Sequence, residues 1–380
     1  MGNILASDKS ILSIPFILSY YIRGLKMKKR YLVIFLSLTL VLLAAWVIKS
    51  VVFPSSHPGS LVRYQGTTVI GPIDLQWDEE REYGTLSPSD GSRSWHVNQP
   101  DPKVKNKWHV TPFRATGESS QGLLIWPDGI DKTPTHGFWT TAPGTDPVKI
   151  KLTSAARYDE LRVSSGFLFG NRGLKKTVRL RMESMSDIYP WQEEFLSKMR
   201  LMVQVGAWPQ FLKGGYKEAW RFFRQPTAAN KWWQHLTFTK RFQNENLLSL
   251  QGVLEEFTGG AHGNLVYKPI NAYRTGNNQP IFRLEDLFDP ASAAEQTLSD
   301  LCMASLASQG ASEVVQGNRT SLNFAEMYAF TFDETKLSIH FAPYAVASYA
   351  EGSFTVSIPS DKIIHLLSDR GPGKFFKEIW

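Results

Sequence analysis

The feature that most constrains this chain is the uninterrupted apolar run Tyr31–Ile48 (YLVIFLSLTLVLLAAWVI). It carries no charge, and only Ser37 and Thr39 are mildly polar. At roughly 1.5 Å of rise per residue, it has about the length that a helix needs to cross the hydrocarbon core of a bilayer. A buried helix of this length in a soluble protein shows one polar face, and this run shows none. Arg23, Lys26, Lys28, Lys29 and Arg30 crowd its N-terminal side, whereas only Lys49 follows closely. The positive-inside rule then places residues 1–30 in the cytoplasm. It makes 31–48 a single-pass transmembrane signal anchor and sends everything beyond Ser50 across the membrane. A cleaved signal peptide shares the charged start and apolar core. The run is long for one, however, and Ala44-Ala45-Trp46 lacks the small-x-small pattern of a cleavage site. No cysteine stands after the run to serve a lipoprotein anchor. Met27-Lys28-Lys29-Arg30 itself reads as an ordinary anchor start, which makes residues 1–26 a candidate mis-assigned start. Met1-Gly2-Asn3-Ile4-Leu5-Ala6-Ser7 puts Ala6 where a myristoylation signal has Ser or Thr.

A formal charge of +7 suggests a nucleic-acid partner until the charge is located. Residues 1–30 hold six cations against Asp8, so +5 of the +7 belongs to the flank of the apolar run and only +2 to the rest. Nucleic-acid binding thereby loses its main support. One cysteine, Cys302, makes an intrachain disulfide impossible. It falls on one helical stripe with Leu298, Leu301, Ser305 and Leu306, which reads as a small buried hydrophobe rather than a reactive thiol.

Residues 49–60 form a Pro/Ser/Gly tether. From 61 to 147 the chain is rich in Gly, Pro, Asp and Thr, with tryptophans at 77, 95, 108, 126 and 139. This is a β-rich segment whose tryptophans suit either a small β core or a sugar-stacking platform. From Val148 onward, Thr177–Met182 alternates as a half-buried strand does. Pro190 opens a helix with Trp191, Phe195, Met199 and Met202 on one face, and a second helix carries Tyr216, Ala219, Trp220 and Phe223 until Pro226 stops it. Asp289-Pro290 launches the helix that holds Cys302. Residues 328–332, 337–341 and 354–358 alternate as strands, and 361–367 closes as a short helix. Strands and helices come in blocks, which predicts an α+β fold with an antiparallel sheet and packed helices over 148–380.

One series of short motifs is more distinctive than these patterns. Asn246–Leu250 is followed by Phe257-Thr258-Gly259-Gly260-Ala261-His262-Gly263-Asn264, then by Phe282-Arg283-Leu284-Glu285-Asp286-Leu287-Phe288. Phe341-Ala342-Pro343-Tyr344, Tyr349-Ala350-Glu351-Gly352 and Val356-Ser357-Ile358-Pro359 complete it. In this order they resemble the extracytoplasmic domain of the RsiV-like family, which also stands ahead of the catalytic domain in PdaC-type peptidoglycan deacetylases. The resemblance covers about Val148 to Leu367. It implies an α+β binding domain of a bacterial cell envelope, displayed outside the inner or cytoplasmic membrane, with a lysozyme-like protein or peptidoglycan as partner. At most about 30 residues precede the apolar run, short for gripping a sigma factor, so anti-sigma activity is not expected. No deacetylase domain follows the last motif.

Three glycines in Gly259-Gly260-Ala261-His262-Gly263 read as a tight turn between strands, without the spacing of a phosphate loop. His262 is the natural site candidate, against the plainer reading that it fastens the turn to nearby backbone. His235, His340 and His365 are isolated, and Asp286 and Asp289 read as caps, so neither a metal nor another cofactor is expected. No G-x-S-x-G elbow occurs. Glu255, Glu256, Glu285 and Asp286 are the acids left for glycosidase chemistry, although neighbours on a strand point to opposite faces. Asn318-Arg319-Thr320 fits a glycosylation acceptor, which has little meaning in a bacterial chain. Tyr344 and Tyr349, on a Pro-containing loop, suit rigid aromatic anchors for a partner, or pack beneath the loop. The expected function is a membrane-anchored envelope binding or sensing domain using His262, Tyr344 and Tyr349, a reading placed ahead of catalysis. The alternatives are an envelope glycan hydrolase with a deep two-acid cleft, and a structural partner in a membrane complex.

Overall fold

Alternation along the first strand sets the architecture. In β1 (His57–Thr68) Val62, Tyr64 and Gly66 turn one way, while Arg63 turns the other. A computed structural model describes residues 57–68, 71–78, 83–88, 95–98, 107–112, 122–125, 136–140, 148–225, 230–275 and 281–380. The run Tyr31–Ile48 and the stop expected at Pro226 lie outside the described residues. Among the described residues no helix is long and apolar enough to cross a membrane. β1 begins at His57, inside the stretch read as a tether.

β2 (Gly71–Asp78), β3 (Tyr83–Pro88), β4 (Trp95–Asn98), β5 (Lys107–Pro112), β6 (Gly122–Ile125), β7 (His136–Thr140) and β8 (Val148–Phe169) follow as a meander of antiparallel neighbours. β8 then pairs back with β1, Tyr64 opposite Ala155, so β1–β8 close on themselves as an antiparallel barrel. Closure leaves these strands without a free edge and turns every second residue inward. Val62, Tyr64, Ile73, Leu75, Trp77, Leu86, Val97 and Ile150 fill that interior. Trp77 is thus a core residue.

β8 is shared. Its second half pairs with β9 (Arg172–Glu183), which lies beside β10 (Lys231–Gln243), then β11 (Leu247–Phe257) with β12 (Asn264–Tyr267) and β13 (Ile270–Tyr273). β9 and β10 run parallel, Leu180 opposite Leu236, so the sheet is mixed where an antiparallel one was expected. The crossover between them is the reason: it holds α1 (Pro190–Met202), a π-helical turn (Val203–Ala207), α2 (Trp208–Leu212) and α3 (Gly215–Arg224). Phe195, Leu196 and Met199 pack on Val178, Leu180, Met182 and Phe238. Met202, expected on the same face, is exposed because the helix reaches its π turn there. In α3 Ala219 is buried, but Tyr216 and Trp220 are exposed.

The last third builds its own core. α4 (Ala294–Ser308), α5 (Ser312–Val315) and α6 (Gly371–Ile379) accompany a three-stranded antiparallel sheet of β14 (Phe330–Phe332), β15 (Lys336–Phe341) and β16 (Phe354–Pro359). Leu337, Ile339, Phe341, Phe354, Val356 and Ile358 are buried, as their alternation predicted. α4 starts at Ala294 rather than Pro290. Asp289 instead holds a tight turn, accepting from Ala291 N at 2.9 Å while Ser292 N reaches Asp289 O. Residues 360–366 form two short 3-10 turns. Cys302 is fully buried, and burial pushes its thiol up to about 12.

Polar side chains join these parts. Arg63 Nε donates to Asp74 Oδ2 at 2.8 Å, and its Nη1 reaches Glu183 Oε2 at 3.1 Å and the Lys240 carbonyl at 3.1 Å. Arg241 bonds Asp74 at 3.2 Å and Gln251 at 3.1 Å. Burial lowers the affinity of Arg63 for its proton, and the Asp74 and Glu183 carboxylates more than reverse that, so its pKa is raised. His340, stacked on Tyr267 and bonded to Thr331 at 2.9 Å, is driven down to about 3 by burial and by Arg241.

Two outcomes follow from these buried groups. Arg63→Ala removes the guanidinium that two buried carboxylates share and should cost about 3–5 kcal/mol in denaturant unfolding, most of it absent from an Arg63→Ala/Glu183→Ala/Asp74→Ala combination. His340 is neutral when folded and titrates near 6.5 when unfolded. Its contribution is therefore complete above that value and falls by roughly 1.4 kcal/mol per pH unit below it, down to about 3. Stability curves of wild type and His340→Gln should converge in slope above neutral pH and diverge in acid.

Candidate functional site

Two turns meet to make the candidate site. The first links β11 to β12 through Thr258–Gly263. Gly259 and Gly260 adopt φ of 94° and 103°, which a side chain rarely tolerates, and the reversal they allow brings His262 to the surface. The second lies between β15 and β16. Ala345 N bonds Ala342 O at 3.0 Å, Val346 and Ala347 plug into the core, and Tyr349–Glu351 form a 3-10 turn.

Glu351 fastens that second turn. Its carboxylate accepts from Ser348 N at 2.9 Å, Ser348 Oγ at 2.7 Å and Ser312 Oγ at 2.6 Å, tying the loop to the start of α5. Burial pushes the Glu351 carboxyl up, and these serine hydrogen bonds outweigh it, so the group sits below the usual range. Tyr344 is held at φ 71°, a left-handed conformation uncommon for a bulky side chain, and is 65% exposed.

The three residues singled out in the sequence are brought together. The His262 and Tyr349 rings stack at 3.8 Å and 21°, and Tyr344 lies 5.4 Å from Tyr349. The Gly263 carbonyl accepts from both Tyr349 Oη and His262 Nδ1, each at 2.8 Å. His262 therefore carries a proton on Nδ1, which donates to that carbonyl. His262 both fastens the turn and joins the strip. Burial, Tyr344 and Glu255 raise the pKa of Tyr349, keeping its phenol a donor at neutral pH.

Near the glycine turn lies an aromatic cluster that no single motif marks. Trp233 stacks on His235 at 4.5 Å and on Phe257 at 6.3 Å, and a Cβ on Gly263 would sit 4.0 Å from the Trp233 ring. The signal was present in two adjacent long strands whose antiparallel register sets Trp233 opposite Phe257, just before the glycine turn. Sequence reading of single motifs could not supply that register.

The acids considered for hydrolysis are placed differently. Glu256 accepts from Gln234 at 2.7 Å on the opposite face from Glu255, as strand alternation requires. Asp286 caps its own turn at Arg283 N, 2.8 Å, and Glu285 pairs with Arg283. A cleft of about 700 Å³ lies on the helix side of the sheet between α1, α2 and β10–β13. Phe195, Met199, Trp208, Leu236, Phe238 and Leu254 are among its walls, and no Asp or Glu among the described residues lines it. Nor do three His, Cys, Asp or Glu side chains converge as a metal site among the described residues.

Residues 285–361 match a family described as "Protein of unknown function (DUF3298)". The match includes Tyr344 and Tyr349 and begins after His262. Two solved structures are similar. One is a member of the DUF3298 family from Bacteroides fragilis, 16% identical, with 59% of this chain and 97% of that one covered and a TM-score of 0.38. The other is a DUF3298 family protein from Pseudomonas aeruginosa, 17% identical, with 55% and 94% covered and a TM-score of 0.37. No curated protein matches the chain.

The left-handed backbone at Tyr344 gives an unusual expectation. Alanine normally outranks glycine in stability, but here Tyr344→Gly should be more stable than Tyr344→Ala by about 1 kcal/mol in chemical denaturation. Tyr349→Phe should lose about 1 kcal/mol with the bond to Gly263.

Proposed function

We propose that this protein is a membrane-anchored binding or sensing domain of the bacterial cell envelope, of the RsiV-like type, which captures its partner on the His262–Tyr349–Tyr344 strip. The run Tyr31–Ile48 anchors it, and the described part is extracytoplasmic. The observation that carries this reading is the assembly of the strip: residues more than 80 positions apart in sequence stack into one partly exposed ladder. Such a ladder offers flat apolar faces with a phenol, a phenol and an imidazole nitrogen at their edges. Aromatic faces with polar edges are the usual anchors of a protein partner, and they also suit the apolar faces of pyranose rings. A lysozyme-like protein or a peptidoglycan fragment fits this chemistry. Binding is favoured over glycan hydrolysis because the strip is a surface feature and the cleft walls bring no carboxylate pair among the described residues.

Titration of the full-length chain in detergent with lysozyme, and separately with soluble peptidoglycan fragments, tests the proposal by calorimetry. Micromolar or tighter binding to one of them is expected. Tyr344→Ala or His262→Ala should weaken it by roughly thirtyfold, the effect of losing about 2 kcal/mol at a hot spot. Absence of heat with both ligands, or binding indifferent to both substitutions, would remove the receptor reading.

A further inference from the structure

A second exposed surface lies on the crossover layer and takes no part in the aromatic strip. The β8–β9 hairpin ends in Phe169-Gly170-Asn171-Arg172, and α3 packs against it. The approach is close because α3 begins with glycine: a Cβ on Gly215 would fall 2.2 Å from Ser165 Oγ. Phe167 meets Trp220 at 5.2 Å and Phe223 at 6.2 Å, and the Arg172 guanidinium lies 5.7 Å over the Phe223 ring. Hairpin end and helix thus form one unit. From it Phe169, Tyr216 and Trp220 remain 67%, 62% and 58% exposed.

The charges around these rings have one sign. Arg172, Lys213, Lys217, Arg221 and Arg224 are all exposed. The one acid between residues 213 and 225 is Glu218, and it is held 2.5 Å from the buried Lys176 ammonium, which also donates to the Phe211 and Lys213 carbonyls. The surface is therefore cationic and aromatic together. Trp and Tyr settle at the headgroup level of a bilayer, basic side chains are drawn to anionic lipid, and an amphipathic helix with both lies in the interface plane. Exposed rings on a hairpin end and the outer side of a helix meet a flat fluid surface without a matching cavity.

We propose that the β8–β9 hairpin end and α3 dock on an anionic phospholipid surface, with Phe169, Tyr216 and Trp220 entering the headgroup region and the surrounding cations pairing with lipid phosphates. Full-length protein carrying Asn171→Cys, spin-labelled at that thiol while buried Cys302 stays unlabelled, provides the test. It is reconstituted in phosphatidylcholine vesicles with or without phosphatidylglycerol, and collision with oxygen is compared with collision with a nickel chelate. With phosphatidylglycerol the label should become shielded from nickel and accessible to oxygen, and high salt should reverse this. Lys217→Gln/Arg221→Gln/Arg224→Gln, checked for an unchanged thermal transition, should lower the docked population roughly a hundredfold, about fivefold per cation. A label that stays open to nickel in anionic vesicles overturns the proposal. So does equal shielding in neutral vesicles, or shielding in lipid-free detergent, which would assign the surface to a protein contact. None of these readouts depends on lysozyme or peptidoglycan binding.

Discussion

The structure turns on one guanidinium. Arg63 projects from the outer side of the barrel strand β1, bonds Asp74 on β2, and reaches Glu183 on β9 and the backbone of β10. Glu183 in turn accepts from Lys240 N at 3.0 Å. Burying so many charges is expensive, and their mutual attraction is only partly left over as stability. Their geometry is what counts. A fork of donors satisfied by two carboxylates and a carbonyl in three directions admits one placement of the barrel wall against the sheet. Tyr158 continues the contact through Thr239 at 2.8 Å, and Gln76 reaches the same hydroxyl.

From that joint the sheet acquires two unlike faces. The side carrying Val178, Leu180, Leu236 and Phe238 is apolar and takes the crossover helices. The other side carries Thr239, Arg241 and Gln251, whose polar atoms need partners and find them in the barrel and beneath the C-terminal sheet. Ser249, Asn271 and the Phe330 carbonyl make a second buried chain of bonds there, at 2.7 and 2.8 Å. With both faces covered near the joint, Trp233 and Phe257 lie at the end of the sheet where the glycine turn emerges. The aromatic strip begins at that end.

Much of this was legible in residue patterns. Period-2 runs at 337–341 and 354–358 and the helix opened by Pro190 declare themselves, because their burial follows from local alternation or local caps. The meeting of His262 with Tyr344 and Tyr349 was only half legible: each residue stood out in its own turn, but their contact depends on how the C-terminal sheet lies over β11. Barrel closure was not legible at all. It rests on β1 finding β8 about 90 positions later, and neither strand differs in composition from an edge strand. The parallel β9–β10 pair was hidden for a related reason, since a long helical crossover and a hairpin loop leave the same alternation in the strands they join. Asp289 misled because the same residue caps a helix or an isolated turn equally well.

Tyr344 shows what the surrounding order sustains. A tyrosine at φ 71° persists only where its neighbours hold it, and here they do: Val346 and Ala347 are locked in the core, and Glu351 ties the following turn to Ser312. The strain is therefore compensated by packing within the folded chain. The backbone that carries the Tyr344 ring is set by this packing, and the ring lies beside Tyr349, itself bonded to Gly263. On the binding role proposed above, a loop ordered in folding would leave less to order when a partner is met. The backbone distortion at Tyr344 and the Glu351 carboxylate thus belong to one loop, which sets the rings at the end of a sheet whose own position is set by Arg63.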